Sequence, residues 1–201
     1  MTLSTMINNS LVFATRNEGK MREIKEYFQG TKYHILSLDD IDVDIEVVED
    51  GTTFEENAAK KAEEISAATS RIVLADDSGL VIDALEGEPG VDSANFLGRS
   101  TPYPVRNAMI LNMLAGVTRR TARFVCVIAI AQPGYKTILV KAALEGEIAQ
   151  EISGDAGFGY DPIFFLPKHG KTMAQMSIIE KNAISHRGQA LALTVEALKN
   201  I

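Results

Sequence analysis

The sequence predicts an α/β protein with a mixed β-sheet, and three observations lead there. Short apolar runs, among them LVFA (Leu11 to Ala14) and IVLA (Ile72 to Ala75), alternate along the chain with segments of helical apolar spacing. Two longer apolar stretches, ARFVCVIAIA and TILVKAALEGEI, flank Gln132-Pro133-Gly134-Tyr135, a hairpin signal that adds antiparallel pairing. No repeat or long linker interrupts the 201 residues, a length that suits one domain, or one with a small lobe, around a real core.

Taken in order, Leu11–Ala14 reads as a buried strand that runs into TRNEGK (Thr15 to Lys20). A helix follows, with Met21, Ile24 and Phe28 on its apolar face, and ends near Gly30. IDVDIEVVED alternates Ile41, Val43, Ile45 and Val47 against Asp42, Asp44 and Glu46, which predicts a half-exposed strand with one acidic face. Thr53-Phe54-Glu55-Glu56 has capping-box spacing and opens an Ala-rich helix to about Ala68. IVLA is a short strand whose end is expected to present Asp76-Asp77-Ser78-Gly79 to a crevice. Thr101-Pro102 starts a helix that runs to Gly116, with Pro near the start and Gly past the end. After the hairpin, GFGYDPIFF reads as a Gly/Pro-punctuated loop, EKNAISHRG as a polar loop, and SHRGQALALTVEALKN as a closing helix.

Composition narrows the function. A net charge of −7 argues against a general nucleic-acid binder, which needs a basic face, and leaves room for a polyphosphate only at a focused site with a divalent cation. No apolar run approaches the roughly 20 residues of a membrane span. MTLSTMINNS has neither a basic nor an apolar leader region, so no secretory signal is expected. The single Cys126 excludes an internal disulfide and suits a reducing, cytoplasmic setting. No Cys/His cluster suggests zinc, no G-x-S-x-G elbow suggests a serine hydrolase, and His34 and His169 stand isolated.

The motifs each admit a functional and a plain structural reading. TRNEGK lacks the first glycine of a Walker loop and the Ser/Thr after its lysine. It still offers a helix N-terminus, Thr15 and Asn17 as short polar ligands and Lys20 as a point charge for phosphate; an ordinary capped helix start with a solvated lysine fits as well. Asp76 and Asp77, if poorly solvated, repel each other and invite a hard cation; two solvated aspartates in a turn are the alternative. Glu49 is a further oxygen donor or a solvated edge charge. Phe158 and Tyr160 of GFGYD are surfaces for stacking a ring, or aromatics packed under a turn. Lys181, Ser185, His186 and Arg187 form a donor-rich stretch that could read a base or phosphate, or simply be solvated.

Together and in this order, ATRNEGKMREI, EDGTTFEENAAKKA, LADDSGLVIDALEGEPGVDSA, GFGYDPIFF and EKNAISHRGQAL resemble the inosine triphosphate pyrophosphatase family over nearly the whole chain. The resemblance implies a single ITPase-like domain over residues 1–201, with an elongated mixed sheet, flanking helices and two lobes around an active-site cleft, usually as a homodimer. It implies hydrolysis of ITP, dITP or XTP to the monophosphate and pyrophosphate with Mg²⁺. By motif, Thr15, Arg16, Asn17, Glu18, Gly19 and Lys20 meet the triphosphate. Asp77 is implied as the catalytic acidic residue and a metal ligand, with Glu49 as a second ligand and Asp76 beside it. Ser78 contacts substrate, Phe158, Gly159, Tyr160 and Asp161 line the base pocket, and Lys181, His186 and Arg187 close over base and phosphate. One departure stands out: Asn95 replaces the family's usual arginine in DSANF. The related septum-inhibitor-type pyrophosphatases are disfavoured by SHR and FGYD, and a non-catalytic nucleotide sensor by the retained Asp76, Asp77 and Lys20.

Overall fold

The computed structural model describes residues 9–200. Its strands are β1 (Ser10–Phe13), β2 (His34–Leu36), β3 (Val73–Ile82), β4 (Thr121–Ala131), β5 (Ile138–Ile148), β6 (Phe164–Leu166) and β7 (Lys171–Thr172). Its helices are α1 (Glu18–Phe28), α2 (Phe54–Thr69), α3 (Tyr103–Met113), α4 (Ile178–Ile184) and α5 (His186–Leu198). The strands form one seven-stranded sheet in the order β2-β1-β3-β4-β5-β6-β7. β1 pairs in parallel with β2 and β3, whereas β5–β6 and β6–β7 are antiparallel, so the sheet is mixed as expected. None of the helices is long and apolar enough to cross a membrane among the described residues.

By contact density the chain divides into two compact units. Of the described residues, one comprises 9–77, 127–141 and 190–200, and the other 78–126 and 142–189. In the first, Leu11, Val12, Phe13, Val73, Leu74 and Ala75 are nearly inaccessible, because parallel strands covered on both faces must be apolar throughout. Ile24 and Phe28 of α1 and Ala58, Ala62 and Ile65 of α2 are buried at helical spacing. In the second unit Leu80, Ile82, Ile110, Phe124, Ile163, Phe164 and Met173 form the core.

Helix α2 starts where its capping box predicts. Glu56 N–H donates to Thr53 Oγ1 at 3.1 Å, and Glu56 Oε2 accepts the Thr52 and Thr53 N–H groups at 2.7 and 3.2 Å. Thr53→Ala is expected to cost about 1 kcal/mol, read as a lowered urea midpoint. An unchanged midpoint would mean that the Glu56 carboxylate holds the cap alone.

Three differences from expectation bear on the site. Residues 42–50 are not a strand, although Ile41, Val43, Ile45 and Val47 are half-buried and the intervening acids exposed. The stretch alternates without a ladder: its end is tied to α2 by Lys60–Asp50 at 2.6 Å and Lys61–Glu49 at 2.7 Å. The second is IVLA, which does not stop before the aspartates. β3 continues unbroken to Ile82, so Asp76, Asp77 and Ser78 lie in mid-strand. The third is EKNAI, which is a helix (α4) rather than a loop and has its own Ser177/Glu180 capping box. The residues before Leu11 precede the first motif and are expected to be loosely held; residues 1–8 lie outside the described residues, while Ser10 belongs to β1 and Asn9 O accepts the His34 N–H at 2.9 Å.

Candidate active site

In the first unit, the β1–α1 loop, the start of α2 and the middle of β3 bring polar groups together. Asn17 caps α1: its Oδ1 accepts the Lys20 N–H at 3.0 Å, and Thr15 Oγ1 accepts the Asn17 N–H at 3.2 Å. TRNEGK is therefore a capped helix start, yet its lysine is not solvated. Lys20 Nζ lies 3.0 Å from Asp76 Oδ2, and that carboxylate is wholly buried. Gly19 is buried, while Arg16 and Glu18 are exposed. The Arg16 guanidinium turns to Asp44 at 2.7 Å. Thr15, Arg16, Asn17 and Glu18 line an open groove together with Arg22 and Lys25.

Successive side chains leave a strand on opposite sides, and the two aspartates have different partners accordingly. Asp76 meets Lys20, and its main-chain carbonyl accepts Lys61 Nζ at 3.0 Å. Asp77 Oδ2 instead accepts Asn57 Nδ2 at 3.1 Å. The expected side-by-side carboxylate pair is thus replaced by a salt-bridged Asp76 and a separately held Asp77. Burial pushes the Asp77 carboxyl up to about 6. The ammoniums of Lys20 and Lys61 and the Asn57 hydrogen bond oppose that rise, and the Glu49 charge adds to it.

Among the described residues no group of three or more His, Cys, Asp or Glu side chains could hold a metal ion unaided. A hard cation such as Mg²⁺ does not need one: it keeps waters, takes one or two carboxylates and fills its remaining positions from substrate phosphate. Asp77 and Glu49 fit that pattern. A divalent charge beside Asp77 would relieve both the desolvation and the repulsion from Glu49 that hold its carboxyl high. Glu49 Oε2 is paired to Lys61 at 2.7 Å, and Asp76 is committed to Lys20.

The second unit holds a separate constellation. Asp161 and Lys181 form a buried ion pair at 2.5 Å, 2% and 3% exposed. Asp161 Oδ2 also accepts the Phe158 N–H at 2.8 Å. Gly157 has φ +73, and a Cβ there would stand 2.1 Å from Asp161 Oδ2, so this turn requires glycine. The half-buried Phe158 ring has the Lys181 ammonium 4.8 Å and the Arg187 guanidinium 5.6 Å from its centroid. Arg187 donates to Ser78 Oγ at 2.8 Å. His186 stacks on Phe124 with centroids 4.7 Å apart.

Lys181, His186 and Arg187 are all buried, so the solvated-loop alternative does not hold for them. Tyr160, by contrast, is 4% exposed. Its hydroxyl donates to Ser93 O at 2.8 Å and its ring meets Tyr103 edge-on, so only Phe158 of the two aromatics is partly open. Asn107 Nδ2 donates to Gly159 O at 3.1 Å, which steadies the same turn.

The sequence reading passed over Asn57, Lys61, Asn107 and Arg106. Arg106 is buried and clamps the loop that carries Asn95, donating to Ser93 O, Ala94 O and Gly98 O at 3.2, 2.7 and 3.0 Å. The Asn95 side-chain oxygen accepts Arg99 Nε at 3.4 Å. Asn57 and Lys61 did leave a signal: they stand at i and i+4 on a helix otherwise rich in alanine, hence on one face.

Residues 11–197 match the sequence profile of the Ham1 family. The chain belongs to that family. A Ham1 relative named dITP/XTP pyrophosphatase, from Shouchella clausii (strain KSM-K16), is 48% identical over 195 residues, covering 96% of this chain and 98% of the relative. The Ham1 protein of Staphylococcus aureus superposes with a TM-score of 0.85 at 42% identity, over 95% of this chain and 98% of that one. A HAM1 protein from Coxiella burnetii gives 0.86 at 38% identity, over 96% and 99%. The likeness to Ham1 proteins therefore spans both units, in sequence and in fold.

Proposed function

We propose that the protein is a nucleoside triphosphate pyrophosphatase that hydrolyses ITP, dITP and XTP to the monophosphate and pyrophosphate, and so keeps deaminated purines out of DNA and RNA. The observation that carries this reading is the buried Asp77, with the Lys20 and Lys61 ammoniums and the Glu49 carboxylate all acting on it. The relative of nearly equal length named dITP/XTP pyrophosphatase supports the substrate class.

In this reading the whole chain works as one nucleotide pyrophosphatase domain. The α1 N-terminus, Thr15, Asn17 and Lys20 hold the triphosphate, and Arg16, Glu18 and Gly19 complete that loop. A water attacks the α-phosphorus, the bond between that phosphorus and the α–β bridging oxygen breaks, and pyrophosphate leaves with the electron pair. Asp77 orients the water and accepts its proton. Lys20 and Lys61 offset charge that builds on the leaving group. Asp77 and Glu49 are the residues that would hold Mg²⁺, which when bound would neutralise phosphate charge and activate water.

In the second unit, Phe158 stacks the base on the turn formed by Gly159, Tyr160 and Asp161, while Lys181, His186 and Arg187 supply donors and Ser78 a hydroxyl. Donors aimed at a 6-keto oxygen accept hypoxanthine and xanthine and are left unpaired by adenine, at about 1–3 kcal/mol each. Guanine shares that oxygen and is excluded through its 2-amino group. The exposed Val105, Met109 and Met113, one turn apart on α3, support a homodimer, and a single buried Cys126 suits the cytoplasm.

The test is pyrophosphate release from ITP, XTP, dITP, GTP and ATP with and without Mg²⁺. We expect kcat/KM for the first three to exceed that for ATP by about 100-fold or more, which is two unpaired donors, and turnover to require the metal. Equal turnover of ATP and ITP would overturn the specificity.

A further inference from the structure

Asn57 has no chemical part in the reaction above, yet its buried amide touches both halves of the carboxylate site. It is 3% exposed on the first turn of α2. Its Oδ1 accepts the Gly51 N–H at 2.8 Å and its Nδ2 donates to Asp77 Oδ2 at 3.1 Å. A backbone N–H can only donate, so the carbonyl end of the amide belongs to Gly51 and the NH₂ end to Asp77. The amide is planar, and each end has one available role.

Gly51 follows Glu49 by two residues, and the fit there is tight. A Cβ on Gly51 would lie 2.6 Å from Asn57 Oδ1 and 2.8 Å from Glu56 Cβ. Lys60 and Lys61, on the same helix, hold Asp50 and Glu49 at 2.6 and 2.7 Å. The strand carrying Asp77 and the loop carrying Glu49 have no ladder between them and are joined by two side chains of α2: Lys61, which bridges Glu49 and the Asp76 carbonyl, and Asn57, which alone of the two hydrogen-bonds the Asp77 carboxylate.

We infer that Asn57 is a positioning residue that fixes the Asp77 carboxylate against the Glu49 loop, so that the two acids meet a divalent cation as a preset pair. The inference rests on the pyrophosphatase reading of this site. Partners one step behind metal ligands commonly change metal affinity or activity 10–100-fold when removed.

The test uses Asn57→Leu, which keeps the bulk and loses both hydrogen bonds, and Gly51→Ala, which keeps the amide and pushes it away. Both are assayed at saturating ITP across a Mg²⁺ titration. Mn²⁺ binding to the nucleotide-free protein is read by its electron paramagnetic resonance signal. We expect the Mg²⁺ midpoint to rise about 10–100-fold and Mn²⁺ to bind correspondingly more weakly. KM for ITP at saturating Mg²⁺ should stay within about threefold of wild type. A purely structural role would reduce the folded fraction and leave both metal readouts unmoved. If Asn57→Leu does not fold, Gly51→Ala decides. Folded variants with wild-type metal midpoints overturn the inference. A wild type without Mg²⁺-dependent ITP turnover, or an Asp77→Asn protein with full activity, overturns the functional reading instead.

Discussion

Asp77→Asn is expected to lower kcat for ITP by about 10³-fold while making the metal-free protein more stable at neutral pH. The loss follows from removing both the proton acceptor and a metal ligand, each of which contributes on the order of 10²–10⁴ in such sites. The gain follows from the raised carboxyl. Asp77 goes from an ordinary 3.8 to about 6 on folding, so the folded state holds its proton more tightly than the unfolded one. Ionising it therefore costs stability, a cost absent below about pH 4 that grows between 4 and 6 and is complete above 6. About two pH units correspond to at most about 3 kcal/mol at pH 7. An asparagine keeps the acceptor for Asn57 and carries no charge. We expect the variant to be about 1–3 kcal/mol more stable than wild type at pH 7 without metal, equal near pH 4, and to lose its advantage as Mg²⁺ is added. Thermal melts across pH, with and without Mg²⁺, check this. A wild type whose metal-free stability rises from pH 4 to 7 relative to the variant would contradict it.

The largest stability loss is expected at the buried Lys181–Asp161 pair. Lys181→Met should cost about 3–5 kcal/mol, because it leaves a desolvated carboxylate without the cation it was buried with. Adding Asp161→Asn removes that charge and keeps an acceptor for the Phe158 N–H. The double variant should recover most of the loss and come within about 1–2 kcal/mol of wild type, while ITP turnover stays low for want of the cation beside Phe158. Urea denaturation of the four proteins gives the coupling. If both single variants were as stable as wild type, the pair would be contributing nothing to the fold.

Much of this fold was legible from local patterns. The capping box at Thr53, the helix from Glu18, the buried runs LVFA and IVLA and the long hairpin all obey rules a short window can express. Where reading failed, the missing information was a neighbour. IDVDIEVVED has the burial alternation of a strand, but a strand also needs another strand beside it, and Lys60, Lys61 and Asn57 of α2 hold the end of this one instead. Asp76 and Asp77 look like the end of an apolar strand because charged residues in mid-strand are costly to bury. Lys20 and Asn57, distant in sequence, are what make that burial tolerable. Lys181, His186 and Arg187 resemble a solvated loop for the same reason, and Tyr160 resembles a stacking platform until Ser93 and Tyr103 enclose it.

The residues themselves thus determined the class of fold, the order of the elements, the Ham1 motifs and the identity of the chemical groups. Hydrophobic period and capping are local, and motif chemistry is carried by the side chains wherever they lie. Tertiary structure alone decided which charges are buried, which acid is salt-bridged and which stays poised near 6, and that a single asparagine amide joins the Glu49 loop to Asp77. Desolvation and pairing act over a few ångströms of space between residues tens of positions apart, and no local window contains that distance.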